Sequence, residues 1–212
     1  LQETVQHAKQ NSFLRIEQLC SPNSKQAETL MSAGFQMITS LRQLCVKTKS
    51  EAQGEDATGT LKFVPANRLG LEGFAAIIRA TMANSQDIEE LAPLADYPDT
   101  DLIENFSNGA SFRELKTWFA LEFENKHVGC LLTQLHPNKA LEIVYLGLRP
   151  DYRGRNFASN LLSQTQRLAA ANDCELIVTA VDTQNIAAMR LYQKHGFSEY
   201  AGFDYLSLDL LT

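Results

Sequence analysis

The stretch LEIVYLGLRPDYRGRNFASNLLSQTQRLAAA, residues 141–171, decides the fold. Its first eight residues are apolar apart from Glu142 and rich in branched and aromatic side chains, a composition typical of a strand buried on both faces. Pro150 ends the strand because proline has no backbone N–H to donate. From Asn156 the apolar residues recur at helical spacing, and the pattern stops at Asn172. The stretch therefore predicts a strand, a tight turn and a helix.

The turn between this strand and helix is basic, although the chain as a whole is acidic. Gly154 is surrounded by three arginines: Arg149, Arg153 and Arg155. The first N–H groups of a helix lack partners within the helix and carry partial positive charge, so a phosphate is favoured there. Asn156 tolerates a left-handed backbone, and Ala158 keeps the first helical turn thin. An ordinary turn with solvated arginines explains the same residues, and neither GxGxxG nor a Walker P-loop is present.

Length and composition indicate a globular chain without a membrane segment. The 212 residues, 44% of them hydrophobic, suffice for one domain or one domain and a part. No apolar run approaches the ~18 residues of a membrane span, and the first ten residues do not resemble a signal peptide. We therefore expect a soluble, cytoplasmic protein that does not bind membranes.

Charge and cysteine spacing exclude several classes of site. The net charge is −6, with 25 acidic and 19 basic residues, which argues against a nucleic-acid surface. The cysteines are far apart, with no CxxC pattern or histidine pairing, so neither a metal site nor a disulfide framework is expected. All four are interpreted as buried thiols: Cys20, Cys45, Cys130 and Cys174.

Two separate motifs resemble those of a known family. The residues RGRNFA, 153–158, resemble the pyrophosphate-binding signature of the GNAT superfamily of acyl-CoA-dependent N-acyltransferases: Arg or Gln, two residues, Gly, one residue, then Gly or Ala. Arg153 and Ala158 match, whereas Asn156 stands where the family usually has Gly. The residues NIAAMRLYQKHGF, 185–197, resemble the second signature, an Asn leading into A-x-x-L-Y and then G-F. The resemblance covers residues 61–212.

The resemblance implies a fold and a cofactor. The fold would be a mixed α/β sheet, splayed at its centre and flanked by helices, and the cofactor would be acetyl-CoA, with no metal. Backbone N–H groups of residues 154–158 would bind the pyrophosphate, and a backbone N–H near Leu148 would bind the thioester oxygen. Gly147 is interpreted as a bulge that frees these strand amides. The expected cofactor contacts are Leu146, Gly147, Leu148, Arg153, Gly154, Arg155, Asn156, Phe157, Ala158 and Asn185.

Acyl transfer to an amine needs a base to take a proton and benefits from an acid at the leaving thiolate. Glu142 is the predicted base: it is the single charge in an apolar strand, where burial would raise its pKa, and its position resembles that of the strand glutamate used by several GNAT enzymes. A glutamate at the strand end, facing solvent, is the alternative.

Tyr192 is the predicted acid. It follows Asn185 by seven residues, within about 20° of two full helical turns, so both side chains leave the helix on the same side. The resemblance implies that Asn185 bonds the pantetheine arm while Tyr192 reaches the sulfur; a core tyrosine is the alternative. Three histidines receive no catalytic role: His127, His136 and His195. The last is expected at a helix C-terminus, where a cation is favoured.

The remaining elements follow from hydrophobic periodicity. Strands are predicted at residues 61–65, 118–124, 127–136 and 174–181, with a final pair of strands within 197–210. Helices are predicted at 71–82 and 184–194, and one or two short helices within 87–106.

The first 46 residues repeat the order of the last fifty, with a helix end at 2–10, a strand at 13–20, a helix at 25–33 and a strand at 35–46. Aligning Ala27 with Ala188 puts Ser24 on Asn185 and Met31 on Tyr192. We interpret residues 1–46 as the C-terminal half of a second, non-catalytic GNAT-like repeat, as in tandem GNAT proteins such as mycothiol synthase. A polar linker at 47–60 and a complete domain at 61–212 would follow. The alternatives are a chance pattern, a segment that completes the following domain's sheet, or a decayed remnant.

The sequence thus predicts an N-acetyltransferase that moves an acetyl group from acetyl-CoA to a primary amine by direct attack. The acceptor, a small molecule or a peptide, is not specified. A non-catalytic acyl-CoA-binding or regulatory module is the alternative, supported by Asn156 in the phosphate turn. A third hypothesis is assembly through the half-repeat, for instance as a homodimer.

Overall fold

The computed structural model describes residues 6–7, 15–49, 61–85, 94 and 96–210. These residues form one eight-stranded mixed sheet with helices on both faces. The strands are β1 Arg15–Cys20, β2 Gln36–Lys47, β3 Leu61–Pro65, β4 Phe119–Phe123, β5 Lys126–His136, β6 Ala140–Leu148, β7 Leu176–Asp182 and β8 Ser198–Asp209. The helices are α1 Lys25–Ser32, α2 Gly70–Met82, α3 Asp99–Ser107, α4 Phe157–Ala171 and α5 Ile186–Lys194, with short 3₁₀ turns at Ala66–Arg68, Phe112–Glu114 and Pro150–Tyr152.

Residues 141–171 begin with the strand at the centre of the sheet. The strand order is β1-β8-β2-β7-β6-β5-β4-β3, and within the described residues β6 and β7 are the parallel pair. The predicted strand, turn and helix are confirmed as β6, the 3₁₀ turn and α4. A parallel pair needs a long crossover connection, and α4 supplies it.

The sheet is splayed where β6 and β7 separate. Their ladder pairs residues 140–143 with residues 176–179 and goes no further. Residues 144–148 continue β6, bonded to β5 alone within the described sheet. The predicted central splay is therefore confirmed, and it exposes one backbone edge of β6.

A bulge lies at the start of this exposed edge. The pairing of β5 with β6 shifts so that Val144 has no opposite residue. The bulge predicted at Gly147 is wrong, because Gly147 pairs in regular register with Cys130. The glycine is needed for a different reason: a Cβ there would lie 2.4 Å from Oγ1 of Thr81 at the end of α2. Gly147 allows α2 to approach the strand closely.

Strand β2, from the N-terminal segment, lies inside this sheet rather than beside it. It pairs along residues 41–47 with β7 and along 36–45 with β8, while β1 extends the sheet beyond β8. Of the expected arrangements, the one in which the segment completes the following domain's sheet matches this topology. The origin of residues 1–46 as a half-repeat, and the domain boundary at 61, stay predictions. Residues 50–60 of the expected linker lie outside the described residues.

The predicted final pair of strands is wrong. The chain from Ser198 to Asp209 forms the single strand β8. Its two edges are occupied by β1 and β2, so a second C-terminal strand has no place beside it in the described sheet. The helices expected within 87–106 are represented by α3 alone, since most of residues 86–95 lie outside the described part.

Each face of the sheet has its own core. The α4 and α5 face buries residues from the central strands and helices, including Leu141, Ile143, Leu161, Ile177 and Tyr192. The α2 and α3 face buries an aromatic-rich set, including Phe74, Ile78, Leu102 and Trp118. A smaller third cluster, which includes Cys20, Leu30 and Leu206, seals α1 against the outer strands.

The cysteines are free thiols, and three of them are buried as predicted: Cys20, Cys130 and Cys174. Burial raises the pKa of the Cys130 thiol to about 12, so it stays protonated. Cys45 is only half-buried, because it lies near the end of β2 where β8 begins. No helix in the described part of the chain has the length and apolar character needed to cross a bilayer.

If β2 is integral to the core, Leu44→Ala will lower the free energy of unfolding by about 2–5 kcal/mol, because it opens a cavity. Leu44 is 2% exposed, whereas Met37 on the same strand is 57% exposed. Met37→Ala, the matched control, should change stability by less than about 0.5 kcal/mol. Urea titrations followed by circular dichroism measure both. Equal losses would contradict an integral β2.

Candidate functional site

A groove of about 440 Å³ follows the turn between β6 and α4 and continues along α5. Seven of the expected cofactor contacts line it: Leu146, Leu148, Arg153, Gly154, Asn156, Phe157 and Ala158. Lys194 of α5 lines the opposite side. Gly147, Arg155 and Asn185 do not line this groove.

The start of α4 has the backbone conformation expected from its sequence. Asn156 has φ of 65° and Gly154 has φ of 75°, so Asn156 adopts the left-handed backbone that its residue type tolerates. The Asn156 side chain is turned along its own helix, where Oδ1 accepts a hydrogen bond from Oγ of Ser159 at 2.8 Å. Asparagine therefore replaces the usual glycine at this position, and its oxygen is engaged with α4.

His195 completes this small network. Because the Ser159 hydroxyl donates to Asn156, its oxygen accepts from Nε2 of His195 at 3.0 Å. Burial lowers the pKa of His195, and the charges of Lys194 and Lys49 lower it further. The neutral imidazole is therefore favoured, in contrast to the cation expected at a helix C-terminus.

Arg153 is an exposed residue whose guanidinium group reaches the end of α2. Its Nε donates to the carbonyl oxygen of Leu148 at 3.0 Å, and Nη1 donates to that of Asn84 at 2.6 Å. Nη2 donates to the carbonyl oxygens of Thr81 and Ala83 at 2.9 and 2.7 Å. The last carbonyls of a helix lack partners within it, so Arg153 satisfies the end of α2 and fastens it to the turn. Four of its donor contacts are thus structural, although the residue lies at the groove.

The other cations beside the groove, Arg155 and Lys194, are also exposed. The Arg155 guanidinium carbon lies 5.1 Å from the ring centroid of Tyr152, a cation–π contact. Tyr152 is stacked with Phe157 at 6.4 Å, and Phe157 packs on Phe123 at 5.0 Å between centroids. This aromatic cluster packs against the turn, and the charge of Arg155 remains exposed to solvent.

A smaller cleft of about 140 Å³ lies at the splay and adjoins the groove, since Leu146 and Ala188 line both. Asn185 and Tyr192 line this cleft together, on the same side of α5 as predicted. Oδ1 of Asn185 caps α5 by accepting from the backbone N–H of Ala188 at 3.0 Å. Tyr192 is 6% exposed and packs on Phe197, so it belongs both to the core and to the cleft wall.

Glu142, the predicted base, does not line the cleft. It lies near the start of β6, where its carboxylate is 2.7 Å from Nε2 of His136. Its side chain is 34% exposed, so the deep burial expected for it is wrong. His136, which received no role, is its partner. The structure does not bring Glu142 and Tyr192 together in the cleft, and a catalytic role for Glu142 stays a prediction.

The carboxylate that does line the cleft is Asp182, which sequence reasoning missed. It is 7% exposed and ends β7. The available signal was its place directly after an apolar strand, because the carboxyl ends of parallel strands meet at one edge of a sheet, where ligands bind. Nowhere in the described chain do three or more His, Cys, Asp or Glu residues form a group suited to a metal ion.

The hydrogen bonds from Arg153 to the end of α2 predict that substituting Arg153 destabilises the protein more than substituting Arg155. Arg153→Gln should lower the free energy of unfolding by about 1–3 kcal/mol, because helix-end carbonyls lose charged donors. Arg155→Gln removes only an exposed cation–π contact and should cost less than about 1 kcal/mol. Urea unfolding of both variants tests this. If Arg153→Gln lowers the free energy of unfolding no more than Arg155→Gln does, the stabilising role of the Arg153 hydrogen bonds is contradicted.

Comparison with known sequences identifies the family of this chain. The acetyltransferase (GNAT) family model matches residues 81–197. An acetyltransferase of Yersinia pestis (strain Pestoides F) is 40% identical over 50 residues, covering 24% of this chain and 36% of that protein. Mycothiol acetyltransferase of Saccharopolyspora erythraea is 25% identical over 95 residues, covering 42% of this chain and 31% of that protein. The matched part thus spans about a third of these relatives.

Solved structures share the fold. A GCN5-related N-acetyltransferase from Sphaerobacter thermophilus superposes with a TM-score of 0.67 at 16% identity, over 92% of this chain and 60% of that one. A tandem GNAT protein from the clavulanic acid biosynthesis pathway gives 0.65 at 11% identity, over 99% and 68%. Because the family model matches more than half of the chain and the sheet has the same fold, this chain belongs to the acetyltransferase (GNAT) family.

Proposed function

We propose that the protein transfers an acetyl group from acetyl-CoA to a primary amine. One observation carries the proposal: the groove and the cleft adjoin at Leu146 and Ala188, so the start of α4 and Tyr192 lie along one continuous depression. A phosphate-binding helix end and a hydroxyl group at the two ends of a narrow path suit a long, phosphate-bearing thioester.

The residues along the path supply the groups that binding of acetyl-CoA would use. The backbone N–H groups of residues 154–158 would bind the pyrophosphate, with the charges of Arg155 and Lys194 nearby. The exposed edge of β6, including Leu146, Gly147 and Leu148, would bond the pantetheine amides, with Asn185 on the opposite side. Since Arg153 is engaged with α2, we assign it the positioning of the turn.

When bound, acetyl-CoA supplies the reactive thioester. The amine nitrogen attacks its carbonyl carbon, the new C–N bond forms and the C–S bond breaks. Tyr192 would donate its hydroxyl proton to the departing sulfur. Because the bulge lies at Val144 rather than at Gly147, backbone N–H groups there, instead of the one expected near Leu148, would polarise the carbonyl oxygen. Glu142 remains the predicted base, and because it lies outside the cleft it would receive the amine proton through water.

Tyr192→Phe tests the acid. Loss of the donor should lower kcat by about 10²-fold or more, while the Kd of acetyl-CoA stays within twofold. Thiol release with a panel of primary amines measures turnover, and isothermal titration measures binding. Tyr97→Phe, at an exposed tyrosine ahead of α3 that lines neither the groove nor the cleft, is the matched control and should leave both unchanged.

Two outcomes would contradict this assignment. Full turnover by Tyr192→Phe would remove the tyrosine from the chemistry. Wild-type protein that binds acetyl-CoA but acetylates none of the amines would favour the alternative, a non-catalytic acyl-CoA-binding or regulatory module.

Asn156 provides a test of the phosphate turn. Asn156→Ala must hold alanine at positive φ, at a cost of about 1 kcal/mol, so the Kd of acetyl-CoA should rise about fivefold. Asn156→Gly keeps the backbone conformation without strain and should bind within about twofold of wild type. Isothermal titration distinguishes them. Equal weakening in both variants would show that the side chain, rather than the backbone, is required.

A further inference from the structure

Asp182 is a buried carboxylate for which the described part of the chain supplies no counter-charge. Its Oδ1 accepts a hydrogen bond from the backbone N–H of Gln184 at 2.7 Å. Within the described residues no Lys, Arg or His lies within ion-pair distance of it. A carboxylate that is 7% exposed is costly without a partner cation, yet this one borders a cleft open to a ligand.

Asp182 lies among both apolar and polar side chains in the cleft, and the polar ones include Thr179 and Asn185. Leu41 of β2 is its cross-strand neighbour and is 9% exposed. Leu41, Ile143 and Val181 line the same cleft. The N-terminal segment therefore contributes directly to the wall of this cleft.

Two aromatic rings line the same cleft. Phe106 of α3 and Tyr145 of β6 have ring centroids 5.5 Å apart. The Tyr145 hydroxyl lies 3.0 Å from Oγ1 of Thr81, a hydrogen bond that fixes the ring. Aromatic faces attract ammonium groups, most strongly when water is excluded. The cleft therefore contains a carboxylate, Asp182, and two aromatic rings, groups that together bind cations.

The size of the cleft restricts this cation. Its volume is about 140 Å³, against about 440 Å³ for the adjoining groove. The cleft therefore suits a compact side chain or a small molecule that carries one ammonium group.

From these observations we propose that the acceptor binds as a small primary ammonium ion, paired with Asp182 and packed against Phe106 and Tyr145. This inference rests on the proposed acetyl transfer and names the substrate class of its acceptor site. It assigns recognition of the ammonium group to Asp182. The bound ammonium gives up one proton to solvent water before its nitrogen attacks, and the proton released after the C–N bond forms goes to Glu142 through water, as proposed above.

Benzylammonium and benzyl alcohol are suitable probes, because they have similar size and differ in charge. At pH 7, wild-type protein should bind benzylammonium at least tenfold more tightly than benzyl alcohol by isothermal titration. Asp182→Asn should remove this preference while keeping the affinity for the alcohol within twofold. Asparagine at this position can still accept from Gln184, so the turn is retained. Asp209→Asn makes the same charge change at an exposed site and should bind as wild type does.

Three results would overturn the inference: no binding of benzylammonium to wild type, a preference that survives in Asp182→Asn, or an equal loss of both probes in that variant. Titration of acetyl-CoA into the same proteins separates this inference from the proposed function. Wild type that prefers benzylammonium but does not bind acetyl-CoA would retain the ammonium site and overturn the acetyl transfer. Wild type that binds acetyl-CoA but shows no preference for benzylammonium would overturn the ammonium site and leave the proposed acetyl transfer intact.

Discussion

The separation of β6 and β7 after Ile143 and Thr179 is the constraint on which the rest of the structure depends. Two adjacent strands that part leave backbone groups without ladder partners, which is costly inside a protein. Here β7 remains paired on its other edge with residues 41–47 of β2. Because that edge is fully bonded, β7 can diverge from β6 without losing its place. The cleft therefore depends on a strand that lies far away in sequence.

The separation also explains where polar chemistry collects. The groove, the cleft and Asp182 all lie at the ends of β6 and β7, beyond the last shared hydrogen bonds. Glu142 lies before that point, in the bonded part of the strand, where its carboxylate meets His136. A charged residue on the central strand therefore lines the cleft only if it lies at or beyond the last β6–β7 pair.

Local features were accessible from the sequence. The β6 strand, the turn, α4, and the shared side of Asn185 and Tyr192 follow from periodicity and motif spacing over short distances. The left-handed Asn156 follows from its residue type and its place in the turn. These features depend on interactions between residues close in the chain, which a single sequence records directly.

Features that depend on distant contacts were not accessible. The place of β2 between β7 and β8, and hence the single final strand, arises from pairing across most of the chain. Gly147 is explained by Thr81 of α2, and Arg153 by carbonyls at the end of the same helix. A basic residue in a strand-to-helix turn looks the same in sequence whether its side chain contacts a ligand or the end of another helix.

The position of β2 has a consequence for how the molecule is made. Residues 36–47 leave the ribosome long before residues 176–182 and 198–207, the only strand segments to which they bond in the described sheet. During that interval β2 has two unsatisfied edges, which are prone to pair with other chains. Non-local pairing of this kind also slows folding, since the loop must close before contacts form. The sheet is therefore completed late, by a strand synthesised early, and the nascent chain has to keep that strand in solution until its neighbours exist.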